Sequence, residues 1–245
     1  QGLQTDITST LTFWKENILQ SENIVGELSC LNRANLKASI GSMYLSRIIY
    51  GCAAGDKTLN SKVSKDSAEK ALKMLLDEFK NPAGGYYWAI DANGQVEHDV
   101  DNINMAQAFV IYGLAEYASV YGDSKVIEAL KDQLIFVENT IRDKEDKGYV
   151  DGFDKNWNII SEKSRFFGTH IHLLEAFVKV YQLDSNLVSL DKIEELIEIL
   201  TTHFIHSENY NRIHQLGMNW EAKPSNVWAG HDAECSWILC DAARI

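Results

Sequence analysis

The sequence predicts an all-α fold, an α/α toroid in which inner and outer helices alternate around a central mouth. Three observations carry that expectation. Apolar residues recur at helical spacing in eight stretches, near 3–20, 36–54, 62–80, 104–121, 125–141, 169–183, 189–204 and from 231 onward. The stretches come in two alternating kinds. One kind is apolar on more than one stripe, as in Ala108-Phe109-Val110-Ile111-Tyr112, whereas the other keeps a charged face, as in Ile193 to Leu200 with Glu194, Glu195 and Glu198. Finally, Tyr50-Gly51 to Gly55-Asp56, Tyr112-Gly113 to Tyr121-Gly122-Asp123, and Tyr181 to Asp184 each read as a helix closure, which makes a weak repeat of roughly 60 to 70 residues. The polar starts of the inner helices then converge on one mouth.

Between the helices lie short alternating segments with turn chemistry. The clearest is Tyr86-Tyr87-Trp88-Ala89-Ile90-Asp91-Ala92-Asn93-Gly94-Gln95-Val96, where Asn93-Gly94 predicts a type I′ hairpin. Similar hairpins are expected around 148–160 and 211–221. The 245 residues hold two prolines and no stretch rich in Pro, Gly or Ser, so a single domain over 1–245 is expected, without flexible linkers.

Composition narrows the partners. Thirty-five acidic against 23 basic residues give a net charge of -12, which repels polyanions and predicts neutral partners, with no nucleic acid and no membrane surface. No apolar run reaches the roughly 20 residues that span a bilayer. Gln1-Gly2-Leu3-Gln4 has neither the basic start nor the apolar stretch of an export signal, so a cytoplasmic location is expected. Cys30, Cys52, Cys235 and Cys240 have no CxxC spacing and are expected to be buried free thiols.

The residues that can carry chemistry sit at predicted inner-helix starts. His231-Asp232-Ala233-Glu234 precedes the apolar run Cys235-Ser236-Trp237-Ile238-Leu239, and Glu234 shares a helix face with His231. A carboxylate beside an imidazole raises its proton affinity and fixes its tautomer, as a general acid/base requires. The bland account is a capping segment, with Asp232 as the cap and Glu234 favouring the helix dipole. In Thr169-His170-Ile171-His172-Leu173-Leu174-Glu175-Ala176, two histidines two residues apart point about 200° apart on a helix, so only one can face the mouth, and His172 shares a face with Thr169 and Glu175. Were the stretch a strand, His170 and His172 would project together and could hold a metal with His231 or Glu234; the apolar helical continuation argues against this. Arg47 lies within Tyr44-Leu45-Ser46-Arg47-Ile48-Ile49-Tyr50 and needs a partner, either an internal carboxylate or the oxygens of a ligand. Trp88, Trp157, Trp220, Trp228 and Trp237 fall in hairpins or at helix starts, where an aromatic face can stack on C–H groups or join the core. His98, His203, His206 and His214 have no distinctive setting and are expected to be surface or structural.

Four ordered motifs across most of the chain resemble the N-acylglucosamine 2-epimerase and cellobiose 2-epimerase family. They are Gly84-Gly85-Tyr86-Tyr87-Trp88-Ala89-Ile90-Asp91-Ala92-Asn93-Gly94, Ala106-Gln107-Ala108-Phe109-Val110-Ile111-Tyr112-Gly113-Leu114, Thr169-His170-Ile171-His172-Leu173-Leu174-Glu175-Ala176 and Gly230-His231-Asp232-Ala233-Glu234-Cys235-Ser236-Trp237. The His-Asp-x-Glu form is closer to the cellobiose branch, which implies a neutral glucose-type sugar or disaccharide; an N-acylglucosamine is the alternative. The resemblance implies an (α/α)6 barrel, neither metal nor redox cofactor, and substrate in the central funnel. It also implies a mechanism: the ring opens, a histidine removes the C2 proton to give an enediolate, and a histidine on the opposite face returns it. By motif, His231 is one member of that pair and Glu234 its orienting partner. His172 aids ring opening or the enediolate, Arg47 binds sugar oxygens, and Trp88, Trp237 and Glu175 complete the substrate contacts.

This chain departs from the family pattern in three places. The later segment, with the last helices and the second acid/base histidine in Pro-Tyr-His-Asn, has no counterpart before Ile245, so about eight of twelve barrel helices are expected. The usual Lys-His-x-Tyr reads Asn102-Ile103-Asn104-Met105, and the asparagine before the motif histidine falls at Gly168. Two other readings stand beside the epimerase. In a non-catalytic sugar-binding or structural remnant, the open edge pairs with a second copy or a complementing C-terminal segment. A glycoside hydrolase or lyase on the same toroid needs paired carboxylates, for which Asp99, Asp101 and Asp151 are candidates.

Overall fold

The structure is a computed structural model, and it describes residues 2–19, 24–97, 104–206, 208, 210–224 and 229–245. His98, Asp99, Asp101, Asn102, Ile103 and Trp228 lie outside the described residues. Eight α-helices form among those that are described: α1 (Gly2–Asn17), α2 (Ser42–Leu59), α3 (Lys65–Glu78), α4 (Asn104–Tyr121), α5 (Ser124–Phe136), α6 (Phe167–Leu183), α7 (Leu190–His203) and α8 (Ala229–Ala242). The inner series α2, α4, α6 and α8 packs side by side, α2 on α4, α4 on α6 and α6 on α8. Outside it, α1 and α3 pack on α2, α5 on α4, and α7 on α6. The expected alternation is therefore present. Residues 106–118 of α4 are all buried because neighbours cover it on three sides, whereas α7 buries only Ile193, Leu196, Ile199 and Leu200.

The helix bounds differ from expectation at α2. It starts at Ser42 rather than near 36, because Ile40–Gly41 (β3) is used as a strand that pairs antiparallel with Ala89–Ile90 (β4). It then runs through Gly51 and Gly55 to Leu59, so those glycines do not end it. They are points of close approach instead: a Cβ at Gly51 would lie 2.7 Å from the Trp14 ring, and one at Gly55 would lie 2.7 Å from a Leu11 methyl. Asn60 ends the helix in the left-handed conformation, φ 50°. Gly113 works in the same way inside α4, where a Cβ would lie 2.8 Å from the backbone oxygen of Ser46. The end of α5 loosens into a π turn, Val137–Ile141.

The connections after outer helices are long and fold into small antiparallel pairings: β1 (Glu27–Leu28) with β2 (Ala34–Asn35), β3 with β4, and β5 (Asp151–Phe153) with β6 (Ile159–Phe166) and β7 (Gln215–Leu216). Alternating helices bring these loops to the end where the inner helices begin. Four turns repeat one hydrogen-bond pattern: Ser29 to Arg33, Asp91 to Gln95, Asp154 to Asn158 and Gly217 to Glu221. In each, the fourth residue is left-handed: Asn32 (φ 56°), Gly94 (76°), Trp157 (64°) and Trp220 (64°). Their spacings of 62, 63 and 63 residues make the weak repeat explicit. The Asn93-Gly94 turn is not type I′, since Gly94 but not Asn93 has positive φ; the Asp91 carboxylate fixes it by accepting from the N–H groups of Asn93 and Gln95 at 2.9 and 2.8 Å.

A left-handed tryptophan costs about 1–2 kcal/mol, so something must hold it there. Trp157 donates its indole N–H to the Gly84 carbonyl at 2.8 Å and packs on Phe136, while Trp220 donates to Asp146 Oδ2 at 2.8 Å and stacks on His203 at 4.2 Å. Each tryptophan thus grips the end of the preceding outer helix and the loop of the module before it. The expectation for the thiols is met only in part: Cys52 and Cys235 are buried, whereas Cys30 and Cys240 are exposed, and all four are free. Among the described residues no helix is long and apolar enough to cross a membrane.

Candidate active site at the inner-helix starts

Strand β6 passes directly into α6, with Phe166 in extended conformation as its N-cap. That entry fixes the two histidines on different sides. His170 is fully buried: its Nδ1–H donates to the Phe166 carbonyl at 2.8 Å, and its Nε2 accepts from the Tyr149 N–H at 3.1 Å. Burial lowers its pKa to about 4, so it is a neutral structural group at physiological pH. His172 faces the other way, its ring centroid 4.4 Å from that of Phe109 and its Nδ1 3.1 Å from Glu175 Oε2. The strand-like metal pair is excluded because the segment is helical and the rings diverge.

A chain of contacts across α2, α4 and α6 follows from this orientation. Arg47 of α2 lies over the same Phe109 ring, with its guanidinium carbon 4.4 Å from the centroid. Its side chain is exposed, and no carboxylate among the described residues pairs with it. One turn further along, Tyr112 stacks on Tyr50 with the ring centroids 4.2 Å apart, and Glu175 lies near its phenol. Burial, then the Glu175 charge, raises the Tyr112 phenol well above its ordinary range and keeps it a hydrogen-bond donor. Glu175 therefore joins His172 to Tyr112. Toward the loops, Met105 meets Gly168, where an added Cβ would lie 3.0 Å from the sulfur. The two described departures from the family motifs thus touch each other across α4 and α6.

A second cluster forms at α8. His231 is half-buried in the first turn, and its charge is felt by His214, whose pKa is lowered by burial, then by Arg212 and His231. Arg212 is buried over the Phe167 ring at 4.5 Å, with Nε donating to Asp232 Oδ1 at 3.2 Å and Nη1 3.1 Å from His214 Nδ1. Asp232 is thereby an ion-pair partner of Arg212. Glu234 is half-buried on the helix face of His231, whereas Trp237, six residues on, is turned roughly 120° away and is 57% exposed. Trp88 is half-buried beside β4, and its carbonyl accepts from the Ser42 N–H at 2.9 Å. Sequence reasoning missed Phe109, Tyr50 and Tyr112 as the link between Arg47, His172 and Glu175, although they fall at i, i+3 spacing on neighbouring helices. It also missed Arg212 and His214, which no local pattern marks.

Alternating inner and outer helices with histidine, carboxylate and arginine at the inner-helix starts define an α/α toroid with a candidate polar site at its mouth. The sequence matches the family description "N-acylglucosamine 2-epimerase" over residues 30–244, and the chain belongs to that family. It is 26% identical over 258 residues to a cellobiose 2-epimerase of Bacteroides fragilis, covering 100% of this chain and 66% of that protein. It is 27% identical over 249 residues to a cellobiose 2-epimerase of Dictyoglomus turgidum, covering 96% and 62%. In fold it resembles the cellobiose 2-epimerase of Bacillus thermoamylovorans B4167 (TM-score 0.89, 23% identity, 99% of this chain and 66% of that one) and a D-mannose isomerase (TM-score 0.84, 18% identity, 98% and 68%). The eight described helices form part of the (α/α)6 toroid of the cellobiose 2-epimerases, and the chain spans under two thirds of the length of the curated relatives.

Proposed function

We propose that this chain forms part of a sugar 2-epimerase acting on a neutral glucose-type sugar or disaccharide by proton transfer at C2. The observation that carries the reading is the grouping of Arg47, His172 and Glu175 around Phe109 and Tyr112 on three adjacent inner helices. An aldose α-proton is weakly acidic, so its removal needs a positioned base and groups that stabilise the enediolate. In this reading His231 exchanges the proton, with Glu234 orienting it. His172, held by Glu175, assists ring opening and the enediolate; Arg47 and the exposed face of Trp88 or Trp237 hold the sugar. The family resemblance supplies these roles.

Inversion needs a second group on the opposite face of the sugar, whereas exchange of the C2 hydrogen needs only one positioned base. His231 is therefore expected to exchange the C2 hydrogen with solvent. Incubation with cellobiose or mannose in heavy water, followed by NMR, tests this. Deuterium at C2 that is lost in His231→Asn supports the reading; a wild-type chain that gives neither deuteration nor epimer rejects it.

A further inference from the structure

Arg212 is a buried cation that reaches from two fixed points of the fold to the start of α8. Its stretch of chain is pinned on both sides. The Ile213 N–H donates to the Phe204 carbonyl at 2.7 Å, just past the end of α7, and the Phe167 N–H at the start of α6 donates to the His214 carbonyl at 2.9 Å. The guanidinium lies over the buried Phe167 ring, its carbon 4.5 Å from the centroid. From that seat Nε donates to Asp232 Oδ1 at 3.2 Å, and Nη1 lies 3.1 Å from His214 Nδ1. A guanidinium has no acceptor, so His214 Nδ1 must be the accepting nitrogen.

Helix α8 rests on α6 and α7 by a narrow stripe. Of its described side chains, Cys235, Ile238 and Ala242 are buried, at i, i+3 and i+7 on one face. His231 stands one turn before Cys235 and extends that stripe toward the helix start. Asp232, the next residue, is the one that Arg212 holds. We propose that Arg212 is a positioning residue which, through Asp232, fixes the first turn of α8 against the start of α6 and so sets where the His231 imidazole stands at the mouth. This rests on the reading of His231 as the acid/base group.

The chemistry of the side chain suits that role. A guanidinium is always charged, and its planar fork lets one residue stack on Phe167, donate to His214 and donate to Asp232 together, which a lysine ammonium cannot do. The Arg212 side chain is 3% exposed and that of Asp232 32%, so solvent screens the pair less than it would a surface one. A carboxylate in the first turn of a helix is also favoured by the dipole, so Asp232 can serve as part of the helix start and as an ion-pair partner at once. The dipole, however, acts along the helix axis and does not choose which way the helix leans. The anchored guanidinium supplies that direction. Were Arg212 there for stability alone, its loss would lower the midpoint of unfolding and leave the native surroundings of His231 unchanged.

The test is a double-mutant cycle on the full chain at a single pH, with Arg212→Met, Asp232→Asn and the two combined. It is read by the NMR ring resonances of His231 and by amide hydrogen exchange of residues 233–236. Arg212→Met alone should move the His231 resonances and speed exchange of that turn about tenfold. In the Asp232→Asn background the same substitution should add less than about twofold and leave the resonances where Asp232→Asn has put them. Unmoved resonances in Arg212→Met, with or without a lower unfolding midpoint, would overturn the positioning role. The full effect recurring in the Asp232→Asn background would overturn the route through Asp232. Should Arg212→Met not fold, Arg212→Lys takes its place in the cycle, since it keeps the charge and loses the fork. The same signs are expected of it, and the same results overturn the proposal. None of these readouts needs turnover, so failure here leaves C2 exchange by His231 standing or falling on its own test.

Discussion

His170 and Asp151, both buried beside the start of α6, titrate in opposite senses. The His170 pKa is lowered from 6.5 to about 4, so its share of stability is present above about pH 6.5 and is lost as pH falls toward 4. Asp151 is raised from 3.8 to about 7, so the folded state holds a proton that the unfolded chain releases, and stability falls as pH rises through that window. Between about pH 4 and 6.5 the two slopes oppose each other, each reaching roughly 1.4 kcal/mol per pH unit. Relative to wild type, Asp151→Asn should gain stability as pH rises across this window and His170→Gln should lose it. Denaturant titrations at three pH values check both, and parallel curves for all three proteins would refute the pairing. Of these two residues only the histidine could be placed from sequence, because a helix sends His170 and His172 apart. Asp151 accepts from the Phe166 N–H and the Thr169 hydroxyl, partners 15 and 18 residues away that only the fold brings close.

The helices themselves were legible because each buries a stripe or a full circumference of apolar residues, and the inner and outer kinds differ in how much they cover. The error at α2 is instructive. Gly51 and Gly55 read as an ending by propensity, yet the packing of Trp14 and Leu11 against them uses the missing Cβ and keeps the helix going. Gly113 shows the same use with a stiffer neighbour, since an added methyl would meet the backbone of Ser46 rather than a movable side-chain end. Gly113→Ala should therefore push α2 from α4 and cost about 1–3 kcal/mol, although alanine is the better helix former. Calorimetry reads the cost, and an alanine variant as stable as wild type would mean that the two helices adjust freely. Because Arg47 lies on α2 and Phe109 on α4, the same substitution reaches the candidate site through their spacing.

At the scale of the whole molecule, family and toroid were legible from four ordered motifs and from helix alternation. The grouping of Arg47, Glu175 and His172 was only half legible, since its links run through Phe109 and Tyr112 on a third helix. The left-handed residues at 32, 94, 157 and 220 have a consequence of their own. A unit copied every 62 or 63 residues, joined to the next by a brief crossing such as 184–189, should survive having its backbone severed there. Fragments 1–186 and 187–245, made separately and mixed, are expected to associate into one particle with the helical circular dichroism of the intact chain. Fragments that stay apart would mean that covalent continuity is indispensable. If they do join, the indole of Trp220, reaching back to Asp146 across the cut, becomes a latch between separate polypeptides, and its fluorescence would report the moment of closure.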